Sequence, residues 1–273
     1  MKAWWLEVPE GHSIHRVANT FRTDYLDSKV KVFSPQGRFE SDAKLVSGRK
    51  LIESTAVGKQ LFLTFDNELT IRIHLGIYGK WNFYKVPISK APEIWGQVRA
   101  RFGGKSASAD LRGPTACEVI DQEAVNSVLK RLGPDPLNPD PTGSEALRFI
   151  SKAKGSKVAI GAALMNQAVI SGIGNVYRAE LLFRAGLNPK TPGENISESA
   201  LLGIWDDAVK LMRIGVKKGV MLTRDDHLTG SVLVKDRYFV YKRDGLECRV
   251  CNKKVVVEEF LARKLYWCPK CQR

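Results

Sequence analysis

The sequence predicts an α+β multidomain chain, with a β-rich N-terminal domain, a helical domain after it and a small ribbon on the C-terminal side. Three observations carry this. Residues 29–84 run in short β-branched segments broken by Gly, Asn and Asp, the texture of a sandwich or barrel. Residues 133–143, GPDPLNPDPTG, hold four prolines in eleven positions. Proline fixes φ and removes a donor, so this stretch reads as a linker and marks the domain boundary. Beyond it apolar residues recur at helical spacing, until two cysteine pairs appear as Cys248-x2-Cys251-x16-Cys268-x2-Cys271.

In chain order, SIHRVANTFRTDYL at 13–26 is an amphipathic helix. KVKVF, KLIESTAVG, QLFLTF and LTIRIHL are strands, and Asp66-Asn67 is a hairpin turn. IWGQVRARFGGKSASADLRG contains strands around a Gly/Ser loop, and residues 121–131 form a short helix. After the linker, SEALRFISKA is helical, and KVAIGAALMNQAVI is expected as a buried apolar helix. NVYRAELLFRAG and the longer SESALLGIWDDAVKLMRIGVKKG complete the helical domain. VVVEEF and RKLYW read as two strands of a hairpin between the cysteine pairs.

The chain has 273 residues, 44% hydrophobic and 26% charged, with a formal net charge of +14. That composition buries a core and excludes disorder as the main state. The positive balance suits a polyanion. Two C-x-x-C pairs at this spacing fit a zinc ribbon, where four thiolates close a tetrahedral shell and leave no site for a reacting water. The cofactor expected is therefore one structural Zn²⁺. The other reading, two disulfides in a secreted protein, is opposed by the lack of a visible signal peptide or 18-residue apolar run, which points to a cytosolic chain with reduced thiols. Cys117 stands apart as a small core residue. His12, His15 and His227 show no partner pattern and read as structural.

Ser171-Gly172-Ile173-Gly174-Asn175 lies between two helices. Its glycines permit a tight turn with exposed amides, Asn175 is a residue that caps helices, and together these make a phosphate site. Alone the pattern is equally a simple interhelical turn. In context it is specific: NQAVISGIGNVYRAELLFRAGLNP resembles the helix–two-turns–helix motif of the formamidopyrimidine-DNA glycosylase and endonuclease VIII family. ARKLYWCPKCQR, LGPDPL and Pro9-Glu10-Gly11-His12 resemble that family's ribbon, interdomain boundary and opening, so the resemblance spans roughly 9–273. It implies an N-terminal β-sandwich with flanking helices at 9–132, the linker, a helix–two-turns–helix domain at 144–235 and a zinc-ribbon finger at 236–273.

The resemblance also implies roles. Pro9 would attack C1′ of the damaged nucleotide through a free secondary amine, and Glu10 would serve as general acid/base. Lys59, in AVGKQLFLTF, and Arg263, at the ribbon hairpin tip, would join them, with Arg263 and Asn175 gripping phosphate. HLGIYGKW resembles the loop that enters the DNA stack after base flipping, with Ile77 and Tyr78 as the wedge and His74 as a phosphate contact. Arg112 would face the opposite strand. The partner expected is double-stranded DNA with a damaged base or abasic site, met by a monomer without a membrane.

Met1–Val8 precede Pro9, so as written the Pro9 nitrogen is an amide with a delocalised lone pair and cannot attack. The expectation is that translation starts at position 8, where a GTG codon reads as valine internally. A true extension would instead leave a non-catalytic lesion-binding protein unless cleaved. PEGHSIHR and the Tyr-Gly-x-Trp ending of HLGIYGKW lean to the endonuclease VIII branch, hence to oxidised pyrimidines, with oxidised purines such as 8-oxoguanine second.

Overall fold

In the computed structural model the described residues are 9–228 and 232–273. The expectation of an altered start at Met1–Val8 lies outside them. The chain forms two compact units, meeting in sequence between Lys130 and Arg131.

The first unit opens with α1 (Gly11–Tyr25), whose buried face is Ile14, Ala18, Phe21 and Tyr25. Those positions repeat at i, i+4, i+7 and i+11, one stripe of a helix. Strands β1 (Lys31–Phe33), β2 (Leu51–Val57), β3 (Gln60–Phe65), β4 (Thr70–His74), β5 (Lys80–Tyr84), β6 (Ala100–Gly103), β7 (Ser108–Arg112) and β8 (Ala116–Ile120) make two four-stranded sheets, ordered β1-β6-β7-β5 and β2-β3-β4-β8. Every pairing is antiparallel. Both sheets give side chains to one core, including Leu61, Leu63, Ile71 and Ile73 from one and Trp81, Phe102 and Leu111 from the other. Phe21 brings α1 into it, packing edge-on against Trp81, Phe83 and Phe102 at 5.2–5.8 Å between ring centroids. Burying an aromatic of this size contributes about 2–3 kcal/mol. A short helix, α2 (Glu40–Val46), and α3 (Gln122–Lys130) flank the sheets. The sequence had not shown α2, β5 or β8.

The second unit holds α4 (Ser144–Lys154), the single turn α5 (Ile160–Ala163), α6 (Asn175–Arg184), α7 (Glu198–Lys218) and the hairpin β9 (Val256–Phe260) with β10 (Arg263–Trp267). Two expectations change here. Residues 157–170 are not one apolar helix, because only Ile160–Ala163 are helical. Asn166 and Gln167 turn the chain with their side chains: Asn166 Oδ1 accepts from Ala168 N at 2.9 Å, and Gln167 binds Met165 O, Ile173 O and Gly172 N. Such local bonds compete with the helical ladder. The proline segment is likewise packed rather than a free tether. Gly133 N donates to Gln167 O, Ser171 N donates to Pro134 O, and Asp140 caps α4 through Glu145 N and Ala146 N.

The ribbon shares its core with the helices of this unit. Tyr238, Val240, Tyr241, Val255 and Tyr266 share one core with Phe149, Tyr177, Leu181 and Trp205 of the helices. A ribbon hairpin this small has too little core of its own, and the helices supply the rest.

Candidate active site and nucleic-acid interface

The first unit places Pro9 and Glu10 at the start of α1. Glu10 is buried and occupies the N-cap position in extended backbone, where its carbonyl accepts from Ser13 N and Ser13 Oγ. The positive end of a helix favours a carboxylate there. Lys59 sits in the β2–β3 turn, behind Gly58 at φ 58°, and is half-buried. Its neighbour Gln60 pairs across the ladder with His74, at the end of β4. Burial, followed by the positive charges of Lys59 and Arg72, holds the His74 imidazole below its usual pKa. The Nδ1 atom of His74 accepts from Gly76 N at 3.2 Å. That bond leaves Nε2 as the proton-bearing nitrogen of a neutral ring.

The loop after His74 is fixed by close approaches. Gly76 has φ 65°, and a Cβ there would lie 1.9 Å from Thr115 Oγ1. A Cβ on Gly79 would lie 2.3 Å from Leu75 O. No other residue fits either position, so the loop is tightly folded while Ile77 and Tyr78 project, 47% and 85% exposed. Both therefore lie outside the strand-end core.

Arg112 is placed differently from expectation. It is buried, and its donors are spent inside the protein: Nε to Asn82 Oδ1, Nη1 to Trp95 O and Nη2 to Asp110 Oδ2. Its guanidinium is a strut rather than a surface contact. His12 is buried, as a structural residue would be, while Cys117 is half-buried and its thiol pushed up to about 12 by burial, which makes it inert.

In the second unit, Asn175 does not cap α6. Gly174 takes the cap position, and Asn175 is the first helical residue. Its side chain leaves the helix: Nδ2 donates to Lys264 O at 2.9 Å, and Oδ1 accepts from Arg178 Nη2. Arg178, itself buried, also donates to Lys264 O at 3.1 Å. The turn between helices and the ribbon hairpin are thereby locked together. Arg263 stands next to Lys264, exposed, at the start of β10. The two-residue tip before it, Leu261 and Ala262, has φ of 52° and 56°. This is the left-handed pair that hairpins normally fill with Asn-Gly, so the tip is strained.

The sequence missed Arg178 and Glu180. Arg178 sits three residues beyond Asn175, on the same helical face. Glu180 is fully buried and accepts from Thr223 Oγ1 at 2.5 Å, Phe239 N at 2.8 Å, Val240 N at 2.8 Å and Tyr241 N at 2.9 Å. It pins the segment leading into the ribbon onto α6.

The four ribbon thiols converge, with all Sγ atoms within 4.8 Å of one another. Cys248 and Cys271 are 3.8 Å apart, and Cys251 and Cys268 3.5 Å. A tetrahedron of sulfurs about 2.3 Å from a metal has edges of about 3.8 Å, so the set fits a bound metal ion and is too open for disulfides. Cys268 N donates to Gln272 Oε1, and Cys248 N donates to Lys253 O. These bonds fold each C-x-x-C into a knuckle.

The turn expected to expose amides is instead buried, with Ser171 N donating to Pro134 O and Gly172 N to Gln167 Oε1. A basic chain carrying a buried acid at a helix start and a metal-binding ribbon still has the makings of a nucleic-acid-processing enzyme. Comparison with known proteins makes this specific. The formamidopyrimidine-DNA glycosylase N-terminal domain matches residues 8–117, and the formamidopyrimidine-DNA glycosylase H2TH domain matches 132–226. Endonuclease 8 1 of Mycobacterium tuberculosis strain H37Rv is 42% identical over 270 residues, spanning 97% of this chain and 100% of that protein. Formamidopyrimidine-DNA glycosylase of Bordetella petrii is 30% identical over 288 residues, spanning 98% and 99%. In structure the chain is similar to Lactococcus lactis formamidopyrimidine-DNA glycosylase bound non-covalently to DNA containing an abasic site. The TM-score is 0.79 at 20% identity, covering 97% of this chain and 99% of that one.

The chain belongs to the formamidopyrimidine-DNA glycosylase and endonuclease VIII family. It is a DNA glycosylase and abasic-site lyase of base excision repair.

Proposed function

We propose that the chain acts on double-stranded DNA carrying an oxidised base or an abasic site, with oxidised pyrimidines preferred. The nucleophile is the Pro9 nitrogen as a free secondary amine. It attacks C1′ as the glycosidic bond breaks and the base leaves with a proton, and Glu10 protonates the ring oxygen as the C1′–O4′ bond opens, giving an iminium between the Pro9 nitrogen and C1′. Proton removal from C2′ then makes that iminium the electron sink for loss of the 3′ phosphate and, in turn, the 5′ phosphate, a β,δ-elimination. Lys59 assists near the flanking phosphate. Asn175 and Arg263 hold phosphate at the lesion, Ile77 and Tyr78 fill the gap left by the everted nucleotide, and His74 touches phosphate as a neutral donor.

The observation that carries this reading is the burial of Glu10 at the start of α1, directly after Pro9. The match to the family's N-terminal domain begins at residue 8, which supports Pro9 as the working terminus. The preference for pyrimidines is supported by the 42% identity to an endonuclease 8, against 30% for the Bordetella petrii formamidopyrimidine-DNA glycosylase. Four thiolates fill a metal's shell, so the ion we assign, zinc, holds the ribbon and supplies no reacting water. The alternatives are a preference for oxidised purines and, with Pro9 blocked, a lesion-binding protein without chemistry.

Borohydride trapping on abasic duplex tests the proposal. Protein beginning at Pro9 should form a covalent adduct, and the uncleaved 273-residue form should not. No adduct from the short form would defeat the proposal, and equal trapping by the uncleaved long form would move the nucleophile to another amine, such as Lys59. On thymine-glycol and 8-oxoguanine duplexes, faster excision of the former is expected.

A further inference from the structure

The loop between β5 and β6 carries an exposed aromatic residue on a rigid mount. Trp95 is 65% exposed, whereas Trp81 and Trp205 are buried. The Arg112 guanidinium lies over its ring, 4.4 Å from the centroid, and Nη1 donates to the Trp95 carbonyl at 2.5 Å. Arg101 holds the same loop from the other end, donating through Nη1 to Pro92 O at 2.8 Å. Both arginines lean on one buried carboxylate, Asp110. Arg101 is bidentate to it at 2.6 and 2.8 Å, and Arg112 Nη2 reaches it at 3.4 Å. Two buried guanidiniums on a single acid are costly to desolvate. What they achieve here is to fix residues 92–95 at the surface.

The position of this mount is equally informative. Arg112 ends β7 and pairs with Lys80, the first residue of β5. The Leu75–Gly79 loop, with its projecting Ile77 and Tyr78, runs directly into Lys80. Gly113, next to Arg112, has φ 55°, and a Cβ on it would lie 3.4 Å from Tyr78 O. Trp95, held by Arg112, therefore lies toward the same end of this sheet as the loop that carries the two exposed residues assigned above to the gap in the stack. An indole with a cation against one face and solvent at the other suits a nucleobase that has lost its neighbour. It carries no charge, so phosphate is not its ligand.

We propose that Trp95 is a stacking platform for the DNA base left unpaired opposite the lesion. This rests on the DNA-processing role proposed above. In this reading the everted nucleotide leaves toward Pro9, while its former partner stays beside the wedge loop, at the end of the sheet where Trp95 is held. Trp95 is thus a specificity-determining residue, and Arg112 and Arg101 position it.

Binding of the full chain to two duplexes tests this. Each has a tetrahydrofuran abasic analogue, one opposite adenine and one opposite a second tetrahydrofuran. Trp95→Ala should weaken binding to the first about tenfold and to the second far less, and Trp95→Phe should recover most of the loss. The salt slope should stay as in wild type, because no phosphate contact is removed. An equal penalty on both duplexes, or none, overturns the proposal. Acrylamide quenching of the Trp95 emission, taken as wild type minus Trp95→Phe, gives an independent readout that does not depend on the stability of the alanine variant. The adenine duplex should shield it, and unshielded emission in the complex also overturns the proposal. If wild type failed to prefer the analogue over intact DNA, the DNA-processing reading would fall too. A wild type that prefers it with an indifferent Trp95 removes this inference alone.

Discussion

Replacing Glu180 with Gln should destabilise the second unit while changing only one atom's chemistry. Its carboxylate collects three backbone amides, Phe239, Val240 and Tyr241, and the Thr223 hydroxyl, all at 2.5–2.9 Å. The Thr223 hydroxyl has a second acceptor, Arg237 O at 3.0 Å, and can turn to it. The amides cannot turn. In Glu180→Gln, Oε1 still serves Val240 and Tyr241, but as a neutral acceptor, at a loss of about 1 kcal/mol each. The new NH₂ group faces the Phe239 amide, which is left unpaired at about 1 kcal/mol or more. The sum is about 3 kcal/mol, or a fall in melting temperature of about 10 °C. Glu180→Ala strands all three amides and should cost about 4–6 kcal/mol, close to the whole stability of an ordinary domain. Thermal melts followed by circular dichroism, with metal release recorded in the same scan, measure both. A Glu180→Gln melt within 2 °C of wild type would show that the four bonds do not hold this segment.

Three further outcomes are expected. Cys268→Ser should lose the metal and lower the melting temperature of the helical core as well, since Tyr266 and Val255 belong to that core; metal content and calorimetry check this. Arg263→Ala should weaken binding to abasic duplex with little change in melting temperature, and should make the slope of log K against log salt shallower by about one; wild-type affinity and slope would remove Arg263 from the phosphate contacts. For His74 the folded imidazole has a pKa below its ordinary 6.5. The unfolded chain therefore takes up a proton first as pH falls, so the stabilising contribution is complete above about pH 6.5 and is lost as pH falls toward the lowered value. Denaturant titrations from pH 7.5 to 5 should show this loss in wild type and a flatter profile in His74→Gln.

How far the sequence could be read depended on whether a feature is local. α1, α4, α6 and α7 carry long apolar stripes, and each stripe reports burial residue by residue. β5 and β8 are five residues each, too short for alternation to stand out, and α2 is a seven-residue helix with no sustained period. Residues 157–170 have helical composition, but the Asn166 and Gln167 side chains end the helix, and composition does not register them. The cysteines were visible as a motif because their spacing is what brings four thiols together, and Pro9-Glu10 because it matches the opening of the family. The side chain of Asn175 reads from the sequence as a cap and, through the resemblance, as a phosphate contact, but its partner within the fold, the Lys264 carbonyl, lies 89 residues away and is not legible. The resemblance gives Arg112, in ADLRGP, as a contact to the opposite strand. Only the ladder that sets Asp110 and Asn82 beside it shows that its charge is used internally.

The lock between Asn175 and Lys264 also says when this grip can exist. α6 leaves the ribosome long before the hairpin that it must hold, and at about 5–20 residues per second the 89 residues from Val176 to Lys264 take roughly 4–18 s to emerge. Through that interval the Arg178 guanidinium and the Glu180 carboxylate, both buried in the finished protein, have α6 around them but neither the hairpin carbonyl nor the amides of 239–241. The nascent helical unit is thus short of its charge partners until the ribbon arrives, and the lock between α6 and the hairpin is among the last features of the molecule to form.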